Sequence, residues 1–415
     1  MKPWTAALPP LGLYVHVPWC VRKCPYCDFN SHALRAPLPE PEYLEALLGD
    51  LEQEAPLVTG RTVGSVFIGG GTPSLLSGGA IGRLLDGIRH RVTCAADMEV
   101  TLEANPGTVE PLRLEHYLRA GVNRLSLGIQ SFSAASLERL GRIHDPDQAL
   151  EAYAMARASG FENINLDLMY GLPGQDLTAA GDDIRTALDL GPEHVSHYQL
   201  TLEPNTAFST QPPPMPDDDL VADMHAQGQE LLSNAGFEHY EVSAHCRPGR
   251  ECRHNLNYWT FGDYLGIGAG AHGKRSDPAA GSIERRWKIY HPQRYLAASR
   301  KRKWTGGKRL LTREEVPFEF MMNALRLSKG VSRELYESRT GTLLADIQPT
   351  LTAGVIRGLL EQDGEAVRTT ELGRGFLNDL LQLFLVDERS ENVSATGVAS
   401  RQKHRLRLEQ KEDRG

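Results

Sequence analysis

The sequence predicts an α/β fold organised on a parallel sheet, and three observations carry that expectation. Strand-length apolar runs alternate six times with stretches of helical period over roughly the first 240 residues. Strands joined through helices need right-handed crossovers, which makes them parallel. Polar or glycine-rich residues follow each strand run, at the end where α/β folds carry function. The pattern alone leaves two architectures open: an open doubly wound sheet, or a curved, incomplete version of the eight-unit barrel.

Leu13, Val15 and Val17 alternate with Tyr14 and His16, the period of a strand that ends where a cysteine-bearing loop begins. A helix is expected over 41–58, because Leu44, Leu47, Leu48 and Leu51 share one face and Pro39 and Pro41 mark its approach. Ser65 to Ile68 is a short β-branched and aromatic run, followed by the loop Gly69 to Pro73 and a helix to about Arg89. Further strands are expected over 98–102, 124–129, 164–169 and 195–202, with helices near 110–120, 145–159, 176–190 and 217–235. The strand ends carry, in order, the cysteine loop, Gly69 to Pro73, Glu103 with Asn105, Gln130, Asp167 with Tyr170, and Glu203. Recurrence at the same end of successive strands points to a site more strongly than any one of these residues does.

The 415 residues suffice for two or three domains with a large core, and the composition is that of a soluble globular chain. Met1 to Pro10 lacks the apolar core of a signal peptide, and no run approaches the roughly 18 apolar residues of a membrane span, so a cytoplasmic location is expected. A net charge of −8 argues against nucleic acid as a partner. The basic cluster Arg300 to Lys303 is expected to be a solvated linker face.

Three of the six cysteines, Cys20, Cys24 and Cys27, fall within eight residues. Closely spaced thiolates suit soft metals and can wrap one corner of an iron–sulfur cluster. A structural zinc site would show a second nearby pair, and Cys94, Cys246 and Cys252 are distant, so the set is one ligand short. An open position is where a substrate or cofactor binds. The glycine loop lacks the lysine of a phosphate-binding loop and the spacing of a dinucleotide fingerprint. It serves either as a tight turn or as a place where backbone approaches a ligand closely.

A strand leading into Cys-x3-Cys-x2-Cys, then Gly-Gly-Gly-Thr-Pro after the second strand, resembles the radical S-adenosylmethionine superfamily. The runs His16 to Cys20, Glu103 to Pro106, Gly128 to Ser131 and Tyr170 to Pro173, with the Asp167 strand, resemble the branch that holds oxygen-independent coproporphyrinogen III dehydrogenase and the HemW-type haem chaperones. The resemblance spans about residues 11 to 385. It implies a partial (β/α)6 TIM-like barrel with a [4Fe–4S] cluster on Cys20, Cys24 and Cys27, the fourth iron being chelated by S-adenosylmethionine. By motif, Tyr14 and Tyr26 flank that cofactor, Gly70, Gly71 and Thr72 receive its amino group, and Arg142 pairs with its carboxylate. Gln130 and Asp167 hold the ribose hydroxyls, and Glu103 faces the cationic methionyl end. The implied chemistry is reductive cleavage of the sulfonium, supplied by the cofactor and positioned by the protein.

The dehydrogenase has a further cysteine where this chain has Phe29, and a longer segment before its first strand. Both departures favour the chaperone branch, which resembles this chain in Cys27-Asp28-Phe29 and in His254-Asn-Leu-Asn-Tyr-Trp259. Haem is therefore expected as ligand, for transfer to an acceptor haem protein such as a respiratory one, with porphyrinogen decarboxylation as the alternative. A module using its cluster only for structure is a third possibility. His254 and His272 are the candidate haem ligands, since a neutral imidazole binds haem iron and Tyr258 and Trp259 can pack against a macrocycle. For His254, Tyr258 and Trp259 the alternative is a purely structural role. Pairing of copies into a homodimer and peripheral membrane association through partners stay open.

Residues 312–327, 331–344 and 351–362 suggest helices, and Asp363 to Gly373 a hairpin, which together resemble a winged helix suited to a lid or docking role. The expected organisation is a barrel over 1–240, a closing extension over 241–306, a small, mainly helical, winged-helix-like domain over 307–388 and a disordered tail over 389–415.

Overall fold

In the computed structural model, residues 7–364 and 366–385 are described, and the tail expected over 389–415 lies outside them. The sheet grows outward from β1 (Leu11–Val17), whose burial pattern leaves only Tyr14 partly accessible. Alternation in the sequence suggested one polar face. His16 is buried as well, because a central parallel strand is covered on both sides.

Five further parallel strands follow on one side: β2 (Thr62–Gly70), β3 (Thr93–Ala104), β4 (Arg124–Gln130), β5 (Ile164–Tyr170) and β6 (His194–Gln199). The apolar register is continuous, with Leu13 opposite Val66, Val66 opposite Val100, Leu102 opposite Leu125, and Leu125 opposite Ile164. Each crossover carries a helix: α1 (Glu40–Glu54), α2 (Gly78–Arg91), α3 (Pro111–Ala120), α4 (Pro146–Ala158) and α5 (Leu177–Leu190), with α6 (Asp218–Asn234) after β6. Local chemistry sets their ends. Asp145 and Gln148 form a capping box at the start of α4, and Gly191 closes α5 in the left-handed conformation at φ 72°. Helix α1 is shorter than expected, since its last four predicted residues, 55–58, tighten into a 3-10 turn at Pro56.

The sheet extends past the six units. Strands β7 (Glu238–Glu241) and β8 (Ala244–Cys246) continue it antiparallel beyond β6. After helix α7 (Arg253–Trp259), β9 (Asp263–Ile267) returns to lie parallel to β1 on its other side, and β10 (His272–Asp277), β11 (Ser282–Lys288) and β12 (Thr305–Leu310) follow antiparallel. The order β12-β11-β10-β9-β1-β2-β3-β4-β5-β6-β8-β7 has two ends, so the barrel is incomplete.

Two buried charge clusters fasten the extension to the barrel. The Lys288 ammonium lies 2.5 Å from Asp50 and 2.6 Å from Glu54 of α1, with Arg286 also on Glu54. Asp263 pairs with Lys274 at 3.0 Å and with Arg61 at 2.8 Å. None of these pairs had a signal in the linear sequence, because the partners lie far apart along the chain.

The C-terminal module has a separate apolar cluster around Phe320, Met321, Tyr336, Leu351, Leu360 and Val367. Helices α8 (Glu315–Ala324), α9 (Arg333–Thr340) and α10 (Gln348–Ile356) precede a hairpin of Leu360–Asp363 and Ala366–Thr369, joined by Val331–Ser332 as a third strand. The helix expected over 331–344 thus begins as a strand, with Ser332 capping α9 through its hydroxyl. Among the described residues no helix is long and apolar enough to cross a membrane.

Candidate functional site

The carboxyl ends of the parallel strands open into a cavity of about 580 Å³. Cys20, Cys24, Cys27, Tyr26, Gly70, Gly71, Thr72, Glu103, Gln130, Arg142 and Asp167 all line it. With Asn105 and Glu203, also in the lining, residues from all six strand ends are gathered at one mouth, whereas Tyr170 packs away from it against His197 and His225. Tyr14 is not among the lining. It stands behind the wall, stacked on Phe67 at 6.3 Å and bonded through its hydroxyl to His16 Nδ1 at 2.9 Å.

The three cysteines are free thiols, and burial raises the Cys20 thiol. Among the described residues no three His, Cys, Asp or Glu side chains gather tightly enough for one metal ion. Thiolates that each bind a different iron of a cluster have no need to converge on one point. Their loop is held from behind. His16 Nε2 bonds the carbonyl of Asn30 at 2.9 Å, and the Asn30 amide donates to the carbonyls of Ala269 and Tyr290, each at 2.9 Å.

The glycine loop presses against the first strand's end. The amides of Gly71 and Thr72 donate to Val17 O and Trp19 O, each at 2.7 Å, and the Gly70 amide donates to Glu103 Oε2 at 3.0 Å. With these amides engaged, the loop offers a ligand carbonyl oxygen, which suits an ammonium group. Glycine is required at two positions here: Gly70 has φ 117°, and a Cβ on Gly71 would sit 2.5 Å from Trp19 O.

Gln130 holds φ 72°, uncommon outside glycine, and its Oε1 accepts from the Tyr198 hydroxyl at 2.7 Å. Asp167 accepts from Ser126 Oγ at 3.1 Å and Asn165 Nδ2 at 2.8 Å, and burial raises its carboxyl against those bonds. Burial, with Asp167 nearby, pushes Glu103 up to about 8. Arg142 donates to Gly128 O at 2.6 Å and reaches Cys24 Sγ at 3.7 Å, while its Nε is buried without a partner. Partly buried carboxyls, a guanidinium and thiols lining one cavity fit a zwitterionic, sulfonium-bearing ligand.

The two histidines lie elsewhere. His254 on α7 is 1% exposed, stacked on Phe67, with Nδ1 on Ser65 Oγ and Nε2 on the Tyr258 hydroxyl, each at 2.9 Å. Both ring nitrogens are taken, so this arrangement presents none to an iron. His272 is exposed on β10 at a second cleft of about 370 Å³, where its ring stacks on Trp287 at 6.4 Å. Sequence reasoning missed Ser126, Asn165 and Tyr198, which orient the predicted acceptors, and also Arg326. Position could have suggested two of them: Asn165 precedes Asp167 by two residues on the same strand face, and Ser126 lies on the neighbouring strand; Tyr198 reaches Gln130 from two strands away. Nothing local marks Arg326.

An incomplete parallel barrel with thiols, a glycine loop and strand-end acceptors around one mouth is the architecture of the radical S-adenosylmethionine class. The Radical SAM superfamily model matches residues 14–187, and the HemN C-terminal domain model matches residues 311–376. A relative named Heme chaperone HemW from Escherichia coli (strain K12) is 50% identical over 380 residues, covering 92% of this chain and 99% of the relative. The protein of the same name from Haemophilus influenzae is 46% identical over 385 residues, with 92% and 99% covered. A solved structure described as coproporphyrinogen III oxidase (HemN) from Escherichia coli, a radical SAM enzyme, superposes with a TM-score of 0.77 at 24% identity, over 92% of this chain and 91% of that one, and supports the fold. The chain belongs to the HemW heme chaperone family of the radical SAM superfamily. A [4Fe–4S] cluster and S-adenosylmethionine are the cofactors that the superfamily brings with it.

Proposed function

We propose that this protein binds haem and hands it to an acceptor haem protein, respiratory haem proteins being the class we favour, while carrying a [4Fe–4S] cluster and S-adenosylmethionine. The observation that supports it most is the end-to-end similarity to relatives named as heme chaperones. In this scheme Cys20, Cys24 and Cys27 ligate the cluster, Arg142 pairs with the cofactor carboxylate, and the Gly70–Thr72 carbonyls receive its ammonium. Gln130 and Asp167 accept from the ribose, Glu103 balances the cationic end, and Tyr26 covers one side of the cofactor while Tyr14 braces the wall behind it. When bound and reduced, the pair supplies reductive cleavage of a sulfonium; the chain's own residues bind, orient and exclude water.

Haem ligation falls to His272, whose ring is exposed beside Trp287, in preference to His254, which is buried. Functionally we divide the chain into the cofactor barrel over 1–240, the closing extension over 241–306 and the docking module over 307–388. We place it in the cytoplasm, meeting membranes only through its acceptors. Homodimer formation would put two haem-donor faces in one assembly.

The test is haem transfer from the cluster-reconstituted protein to an apo-cytochrome, followed by the Soret shift, beside anaerobic incubation with coproporphyrinogen III, S-adenosylmethionine and a strong reductant. Haem transfer without vinyl product is expected. Vinyl product formed in step with deoxyadenosine would replace the chaperone by a decarboxylating enzyme.

A further inference from the structure

The lining of the strand-end cavity extends beyond the residues assigned to the cofactors. Beyond Asp167 its lining runs through Ser196 and Tyr198 to Glu241, Ser243, Asn255, Trp259 and Arg326. These last five come from outside the six strand–helix units. Glu241 ends β7, Ser243 is in the turn to β8, Asn255 and Trp259 are on α7, and Arg326 follows α8 of the C-terminal module.

Arg326 is built in. Its backbone is tied to the end of β7, with its carbonyl accepting from Val242 N at 3.0 Å. Its guanidinium lies over the Trp259 ring at 4.4 Å, and Nη2 donates to Glu241 Oε2 at 3.0 Å and Ser243 Oγ at 3.3 Å. Glu241 is 4% exposed at its side chain and Arg326 25%. Nε is buried without a hydrogen-bond partner among the described residues. A planar cation with an unused donor, bonded to a hydroxyl, backed by an indole face and sharing its cavity wall with the Asn255 amide, fits a carboxylate carried on a flat apolar body. Trp259 belongs to the walls of both this cavity and the cleft of His272, so a macrocycle anchored at Arg326 would lie beside the ring that the two share.

We propose that Arg326, with Trp259, Asn255 and Ser243, forms a carboxylate subsite at the far end of the cofactor cavity and takes a propionate of the tetrapyrrole ligand. This rests on the haem reading above. Glu241 acts as a positioning residue that holds the guanidinium toward the cavity until the ligand's carboxylate shares it.

The test compares the cluster-loaded full chain, wild type and Arg326→Ala, in titrations with haem and with haem dimethyl ester. A charge-assisted contact of this kind is worth roughly ten- to a hundredfold in affinity. Wild type should prefer haem to the diester by about that factor, and R326A should lose the preference while keeping diester affinity, iron content and S-adenosylmethionine affinity. Arg326→Lys should retain part of it. Unchanged haem preference in R326A overturns the subsite. Equal loss of both ligands assigns Arg326 to domain packing and also overturns it. Failure of wild type to bind either ligand removes the haem reading itself, and the subsite with it.

Discussion

The assignment of Glu103 to the cofactor's cationic end predicts that cofactor affinity depends on pH. The carboxyl is partly buried at the mouth, accepts one hydrogen bond from the Gly70 amide, and is pushed up to about 8 by desolvation and by Asp167. Near neutrality the free protein therefore carries a proton there. A cationic ligand favours the carboxylate, so binding must release that proton, and affinity must fall as pH falls below 8. If the bound-state value drops below 6, linkage gives close to tenfold per unit, or about fiftyfold between pH 8 and pH 6. The assay is equilibrium binding of S-adenosylmethionine to the cluster-loaded protein across that range, beside Glu103→Gln. Because the ligand and cluster release their own protons, the quantity of interest is the difference in slope between the two proteins. Glu103→Gln should bind more weakly at pH 8 and lose most of the extra slope. Identical slopes would refute the assignment of Glu103 to the cationic end.

Lys288→Met leaves Glu54 buried with Arg286 as its cation and Asp50 buried with only the Tyr295 hydroxyl and the Gly268 amide, and should cost about 3–5 kcal/mol in urea unfolding; a cost below about 1 kcal/mol would show that the cluster was not held as ionised groups. Cys24→Ser should lose the iron while its circular dichroism stays native, since the loop lies at the cavity rim; a full iron complement would sink the ligand assignment. Burial lowers His245 to about 2, where its ring stacks on His239 at 4.3 Å and both of its nitrogens lack partners. The unfolded chain takes up that proton near 6.5 while the folded chain refuses it, so stability should fall with pH below 6.5 by up to about 1.4 kcal/mol per unit from this site. His245→Phe should flatten that slope; an unaltered acid limb of the stability curve would count against it.

The parallel core was legible because each of its strands is written as a β-branched or apolar run and each helix as an apolar stripe. The mouth was legible for the same reason: strand ends in α/β folds share one side, so naming Glu103, Gln130 and Asp167 amounted to locating them in space. What escaped was everything made by return of the chain. Strands β9 to β12 are short, polar in places and bordered by glycine; β9 alone pairs with β1, and the buried ion pair of Asp263 with Lys274 ties it to β10. The motif around His254 could be seen, but not that α7 turns His254 into Ser65 and Tyr258 while leaving Asn255 and Trp259 for the cavity. Arg326 comes from a module whose own sequence reads only as helices and a wing.

An incomplete barrel keeps two sheet edges that a closed one would not have, and open edges recruit strands from other molecules. The chain guards each edge differently. Strand β12 is mostly exposed, carries two glycines and the charged pair Lys308 and Arg309 before the exposed Leu310, so a neighbouring copy would meet a ribbon dominated by charge. Strand β7 is four residues long and is overlaid by the C-terminal module, with Ser328 N on Tyr240 O at 3.0 Å and a bridge between Glu241 and Leu327. The segment that brings Arg326 to the cavity therefore also seals a margin against self-association, and loosening it to release a ligand would expose that margin to solvent and to other copies of the chain.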